Sequence, residues 1–477
     1  MRNSFFKAAA AALAMSAVAA CTSFDVTNPN QPTLDDLLAN PTRTKLAAAA
    51  TGLFAGSRTE ITSLIWRLGS MGREGINLAG NNQPDYQEPY FGPLSPGGFG
   101  GALWQNRYAL VRDANTYIEA LSRTSDLTAG EIAVAQAMAE TQKALAFIYI
   151  AETRAKLGAP VDVGQSITAA PAPFVTEDSV YGYVLGLLSD ANAKLQANAS
   201  ESFPFPLPPG YSGFDTPAAF AQYNRALAAR AYVLRATAGC GAACYTSALT
   251  ALGGSFIDAS DPSTFGNGVY FDFSNAPNDQ SNALSEPLAG VRYFADSAIL
   301  YSKVQRVGAT PDRRLTSKTA LATADVPQSV GGVDITGTLK FTRYFSNGQP
   351  DPKHPIPVIR NEELILLRAE AEWFAAAPNK AQAIADLDFV RTNAGGLTPA
   401  TLTTASSDAA FLDALLYERE FSLLWEQGTT WIDARRFGRL TSIPPGVTDG
   451  NVPSVMPIPS AECNARNLTG NCTPLGS

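Results

Sequence analysis

Between Leu415 and Gly438 the chain sets four carboxylates, Glu418, Glu420, Glu426 and Asp433, among Arg419, Arg435 and Arg436. Phe421, Trp425, Trp431 and Phe437 are interleaved with them. Two chemistries fit such a stretch. A pair of carboxylates can cleave a glycosidic bond, one as acid and the other as base or nucleophile. The same charges can instead neutralise one another inside the protein, because a part-buried charge is tolerated only beside a partner. The mixture with large aromatics favours the second reading, a structural knot of ion pairs and rings built on Glu418, Glu420, Glu426, Trp431, Asp433, Arg435 and Arg436. The pattern predicts a helix running to Gln427, a stop at Gly428 and a short return segment.

A different chemistry is offered by residues 69–104. This stretch is rich in glycine and proline, and long irregular segments in folded proteins are usually functional. Sugar rings present flat C–H faces that pack on aromatic rings, while their hydroxyls need amides and carboxylates. Tyr86, Tyr90, Phe91 and Trp104 with Asn81, Asn82 and Asp85 supply that mixture. Tyr270, Tyr293 and Phe294 are a second group of candidates, from the stretch 265–294. The competing reading is that these rings pin a long loop onto the body.

Several classes are excluded by composition. The chain has 477 residues, a net charge of −8 and one histidine. An acidic balance with no basic run argues against nucleic acid. His354, in Asp-Pro-Lys-His-Pro, reads as a turn residue, so a Ser-His-Asp triad or a histidine metal site is not expected. No catalytic residue, metal or cofactor is expected.

The N-terminus addresses the protein outward. Arg2 and Lys7 precede an apolar run from Ala8 to Ala20, broken by Ser16, and Val18-Ala19-Ala20 then leads into Cys21. The run is too short to span a membrane and reads as an export signal over 1–20. A cysteine directly after the small residues resembles a lipobox, which makes Cys21 the lipidation site. Four cysteines remain, close in pairs: Cys240 with Cys244 and Cys463 with Cys472. In an oxidising compartment two short disulfides are the natural reading, although other connectivities and a zinc site are formally open.

The elements that must position these groups are mostly helices. Residues 21–42 read as a tether and 43–477 as one body. Helices are expected near 43–54 and 58–68 and over 104–121. Thr128 with Glu131 forms a capping box for a helix ending at Gly158. Thr176 caps another, and Thr216-Pro217 opens one that runs to Gly239. Residues 240–355 read as an irregular insertion with short strands, from the alternation at Val269, Phe271 and Phe273, at Val333 and Ile335, and at Leu339 and Phe341. In 356–477, Asn361 is expected to cap one helix and Asn379 the next, before the knot helix starts near Asp408. The fold class is mostly α, with a loop-rich insertion that contains short strands.

Taken in order, several motifs resemble the SusD/RagB family of outer-membrane nutrient-binding lipoproteins. They are Cys21 followed by Phe24-Asp-Val-Thr-Asn-Pro-Asn-Gln-Pro-Thr33, then Asn361-Glu-Glu-Leu-Ile-Leu-Leu-Arg-Ala-Glu-Ala371, then Val390-Arg-Thr-Asn-Ala-Gly-Gly-Leu397. The knot and Met456-Pro-Ile-Pro-Ser-Ala-Glu-Cys-Asn-Ala-Arg466 complete the series. The sequence departs from the family where Gln427 separates Glu426 from Gly428 and where Thr430 precedes Trp431. The resemblance implies tetratricopeptide-like helix pairs and a lipid anchor in the outer membrane, facing the cell surface. It also implies a glycan or peptide ligand, no catalysis, and a SusC/RagA-like TonB-dependent barrel as partner. A secreted glycoside hydrolase and a protein-binding helical scaffold are the alternatives.

Overall fold

The structure is a computed structural model and describes residues 34–79, 88–90, 92–164, 168–330, 333–444, 452–468, 472 and 475. Cys21 and most of the tether lie outside the described residues. The body is built from helices that start where side chains can satisfy free backbone N–H groups. After the short α1 (Leu34–Ala39), Thr42 caps α2 (Arg43–Arg58), and α3 follows (Ile61–Met71). Past the strand β1 (Gly75–Asn77) comes α4 (Gln105–Leu121). The capping box forms as expected: Thr128 accepts from Glu131 N, and the Glu131 carboxylate accepts from Thr128 N, opening α5 (Ala129–Arg154). Thr176 caps α6 (Glu177–Ala197), and Thr216 caps α7 (Pro217–Arg235), whose first residue is the proline.

These helices form a sequential array in which α4 packs on α5, α5 on α6, and α6 on α7. Small residues set the spacing. Ala135, Ala137, Ala139, Ala144 and Ala146 of α5 are all fully buried, which lets neighbouring helices approach closely on several sides. The array continues into α8 (Ala242–Gly253), which packs on α7. This helix corrects the expectation that the irregular insertion begins at residue 240. Its apolar stripe, Cys244, Tyr245, Ala248, Ala251 and Leu252, is bracketed by glycines that hid it. Cys240 and Cys244 are joined across the turn that opens it, and Cys463 is joined to Cys472 near the C-terminus.

The insertion carries β2 (Gly268–Phe271), β3 (Tyr293–Ala295), α9 (Ser297–Lys303), α10 (Arg313–Lys318), and a long hairpin of β4 (Thr319–Val330) and β5 (Val333–Phe341). One antiparallel sheet runs in the order β1, β3, β5, β4. A second ladder pairs β2 with β6 (Ile356–Arg360). The chain then returns to helices, α11 (Asn361–Phe374) and α12 (Lys380–Val390), the latter capped by Asn379. Asn361 is not a cap: it is the first residue of α11. Its side chain instead accepts from Asp258 N and donates to Asp258 O and Thr264 Oγ1, fastening a loop 97–103 residues earlier.

The knot helix α13 (Asp408–Ser422) ends five residues before Gln427. Trp425 then takes a left-handed conformation, Gly428 does likewise, and α14 (Thr429–Arg436) returns. The early stop has a cause in the ion pairs. Glu426 lies in the turn, fully buried, where Arg360, Arg343 and Lys318 reach it at 2.8, 2.9 and 3.3 Å. Glu418 holds Arg314 and Arg391 at 2.6 and 2.7 Å, and Glu420 holds Lys303 at 2.8 Å. Asp433 takes Arg419 and Arg436 at 2.6 and 2.8 Å, and Arg436 also pairs with Glu370. Arg435 lies over the Trp431 ring and donates to Glu152 O, while Trp431 Nε1 donates to Pro453 O. Gln427 uses its side-chain amide on Val358 O and Glu363. The last helix among the described residues is α15 (Ser460–Ala465).

Candidate functional site

Three of the four knot carboxylates leave no room for a substrate. Glu418, Glu426 and Asp433 are at most 2% exposed, and each is held by two or more cations. Burial alone would push Glu426 up, but Arg360, Arg343 and Lys318 outweigh it and hold the carboxyl well below the usual range. A group kept ionised in this way is unsuited to donating a proton near neutral pH.

Of the loop candidates, Asn81, Asn82, Asp85, Tyr86 and Phe91 lie outside the described residues. Tyr90 is buried. Arg73 lies 4.1 Å over its ring and its hydroxyl reaches Asp296 at 3.3 Å. Tyr293 and Phe294 are also interior, which corrects their expected place on a ligand face. They sit on β3, where successive side chains point to opposite faces of the sheet, and both are buried. Tyr293 packs between Trp66 and Trp425, and Phe294 packs with Ile76, Leu78 and Tyr90 beneath the Lys340 ammonium. Tyr270 is part-exposed and its hydroxyl bonds Gly266 O. The single histidine, His354, packs edge-on to Tyr344 and its Nδ1 lies 3.0 Å from Pro355 O.

Trp104 is as buried as Tyr293, at 5% exposed, but it lines a cleft of about 660 Å³. Its position is set from both sides. Leu103, buried, adopts φ 60°, a left-handed turn that a non-glycine residue takes only when its surroundings impose it. Behind the indole, Arg154 lies 5.3 Å from the ring and donates to Ala102 O at 2.7 Å. Burial without a contacting carboxylate lowers the Arg154 guanidinium to about 9. Phe174 stacks on Trp104 with centroids 6.0 Å apart, and Arg466 lies over Phe174 at 4.7 Å.

One wall of the cleft is a face of α4. Trp104, Tyr108 and Arg112 recur every four residues, with Gln105 and Ala109 beside them, so they lie on one stripe. Tyr108 is half-buried, and its hydroxyl donates to Pro160 O at 2.8 Å. The facing wall is Pro160, Asp162, Val163 and the small apolar run 169–172. The third comes from α15 and its flanks, with Glu462 and Arg466 paired at 2.7 Å. The result is an aromatic and apolar trough edged by charged groups, suited to rings that carry hydroxyls. Of the residues lining the cleft, sequence reasoning named only Trp104 as a ligand candidate. The four-residue spacing through Tyr108 and Arg112 was the available signal; the walls at 160–163, 169–172 and 459–466 had none.

No protein-family profile matches the chain, and no curated protein sequence matches it. Solved structures do match in shape. A SusD superfamily protein from Parabacteroides distasonis has a TM-score of 0.66 at 17% identity, covering 89% of this chain and 98% of its own. The fold is that of the SusD superfamily. A SusD-like carbohydrate-binding protein from Bacteroides fragilis gives the same values, 0.66 and 17%, over 89% of this chain and 98% of its own. A laminarin-binding SusD-like protein gives 0.60 at 14% over 90% and 99%. The SusD-like architecture accounts for the helix-pair array with strands inserted after it. Among the described residues, no helix is long and apolar enough to cross a membrane.

Proposed function

We propose that this chain is a glycan-binding protein that is lipid-anchored through Cys21 at the outer membrane. It captures oligosaccharides and passes them to a TonB-dependent barrel. The observation that carries the reading is the cleft on α4, where Trp104 and Tyr108 meet small apolar residues and a charged rim. The carbohydrate-binding descriptions of two structural neighbours support a sugar as the ligand class. Hydrolysis is disfavoured because the carboxylates that suggested it are committed to cations.

The test is calorimetry of the purified protein with a panel of oligosaccharides, followed by two variants. Trp104→Ala removes the cleft floor, and Ala109→Trp fills the cleft from an exposed position on α4. Each is expected to weaken binding at least about tenfold, a change of about 1.4 kcal/mol. Unchanged affinity in Ala109→Trp with an unchanged melting curve would refute the site. The membrane part is tested separately: Cys21→Ala should release the protein from membranes, and the native form should co-purify with a large barrel.

A further inference from the structure

We infer that the cleft is built for an acidic glycan, one bearing a carboxylate or sulfate, and that Arg112 is the residue that reads the acidic group. The inference rests on the cleft being the sugar site.

The argument is one of charge pairing. Four charged side chains line the cleft: Arg112, Asp162, Glu462 and Arg466. Three of them are engaged. Glu462 and Arg466 hold each other at 2.7 Å, and Arg466 also covers Phe174. Asp162 already has a partner. Arg112 is exposed and has no hydrogen-bond or ion-pair partner among the described residues. Its neighbour Asp113 is one helical step, about 100°, round α4 and does not line the cleft. In a chain of net charge −8, the cleft therefore presents a guanidinium free to bind.

Its chemistry selects the partner. A guanidinium offers a planar fork of N–H donors that matches two oxygens of a carboxylate or sulfate, and such charge-assisted bonds are about twice as strong as neutral ones. A neutral sugar hydroxyl uses one donor and leaves the charge unmet. The geometry also sets a distance. Arg112 is eight residues from Trp104 on one helix, about 12 Å along its axis. Tyr108 is four residues from Arg112, about 6 Å, so the acidic group lies on the sugar packed at Tyr108 or on the next one.

The test uses an array of neutral, carboxylated and sulfated oligosaccharides on the purified protein. For the tightest acidic member, the same oligosaccharide is prepared with its carboxyls reduced to alcohols or its sulfates removed. Wild type, Arg112→Gln, Arg112→Lys and Ala109→Trp are then compared by calorimetry. Acidic members should lead the array, and neutralising the ligand should weaken wild-type binding about tenfold or more. Arg112→Gln should bind both forms alike, and Arg112→Lys should keep part of the preference. The preference should shrink as salt is raised. Neutral members in the lead, an array with no binding, or an acid preference that survives in Arg112→Gln would overturn the inference. Ala109→Trp separates the two levels. If it abolishes binding while Arg112→Gln keeps the preference, the cleft stands and the role of Arg112 falls. If it binds like wild type, the cleft itself is not the site, and the inference falls with it.

Discussion

Replacing Glu426 by glutamine should destabilise the protein by about 3–5 kcal/mol, the loss expected when one partner of a buried ion pair is removed. The side chain keeps its volume, so the change isolates charge. In the native protein Arg360 approaches through two nitrogens, at 2.8 and 3.2 Å, with Arg343 at 2.9 Å and Lys318 at 3.3 Å. Arg360 also pairs with Glu362. Without the Glu426 charge, Arg360 keeps Glu362, while the buried Lys318 and the part-exposed Arg343 lose their ion pair. Glutamine also turns an N–H₂ group towards donors that need acceptors. One relief is available. Burial already lowers Lys318 to about 8 against the pull of Glu426, so in the variant this lysine gives up its proton near neutral pH. The loss should therefore fall near the lower end. Urea denaturation followed by circular dichroism measures it, read as a lower midpoint with an unchanged slope. The pH dependence gives an independent check. Glu426 is held below its ordinary value of 4.5 in the folded state, so its contribution is complete above that value and is lost progressively as pH falls from there towards the lower folded value. At pH 3.5 the gap between wild type and Glu426→Gln should be about 1.4 kcal/mol smaller than at pH 7. Equal midpoints, or a gap that does not change with pH, would refute the account.

Glu74 should behave in the opposite sense. Burial raises it to about 7 against backbone donors from Trp425 and Thr430, so its neutral form is favoured on folding. Stability from this group is full below about 4.5 and falls as pH rises through 7, and Glu74→Gln should flatten that decline, on the order of 1–3 kcal/mol, in melts taken across the range. Asp433→Ala should cost about 3–5 kcal/mol in urea melts because Arg419 and Arg436 are left buried, whereas Glu420→Ala, opposite a lysine that is 29% exposed, should cost about 1 or less. Gly428→Ala should destabilise by more than about 1 kcal/mol in the same assay, since φ is 67° and its Cβ would fall 2.1 Å from that of Leu68.

What could be read from the sequence was what is local. The capping box at Thr128, the caps at Thr176 and Asn379, and Thr216-Pro217 act over three or four residues, and each starts the helix it was expected to start. The knot was legible as a knot because its charges and rings are contiguous. Its partners were not, because they come from far away: Arg360 is 66 residues from Glu426, and Glu74 is 351 residues from Trp425. The same limit explains Tyr293 and Phe294. Their composition suits a ligand face, but their burial depends on distant side chains, Trp66 and Trp425 for Tyr293 and Ile76, Leu78 and Tyr90 for Phe294, which no local pattern reveals. Trp104 was visible for its type, while the cleft it lines needs a wall from α15, more than 350 residues later.

The two features meet at the start of the loop that carries Trp104. As the chain leaves α3, Gly69 and Gly75 lie flat against the Trp425 ring; a Cβ on either would come within 2.9 Å of it. Trp425 is itself fixed by stacking on Phe341 at 4.0 Å, and Glu74 accepts from Trp425 N and Thr430 N at 2.9 and 3.3 Å. The knot therefore grips the beginning of the 69–104 stretch. Its end is gripped from elsewhere: Arg67 donates to Phe99 O, Arg154 to Ala102 O, and Ser460 N to Pro96 O. The described ends of the stretch are thus fixed before any ligand arrives, and such preorganisation favours binding. The knot fixes where the loop starts, and the helix pairs with α15 fix where Trp104 finishes.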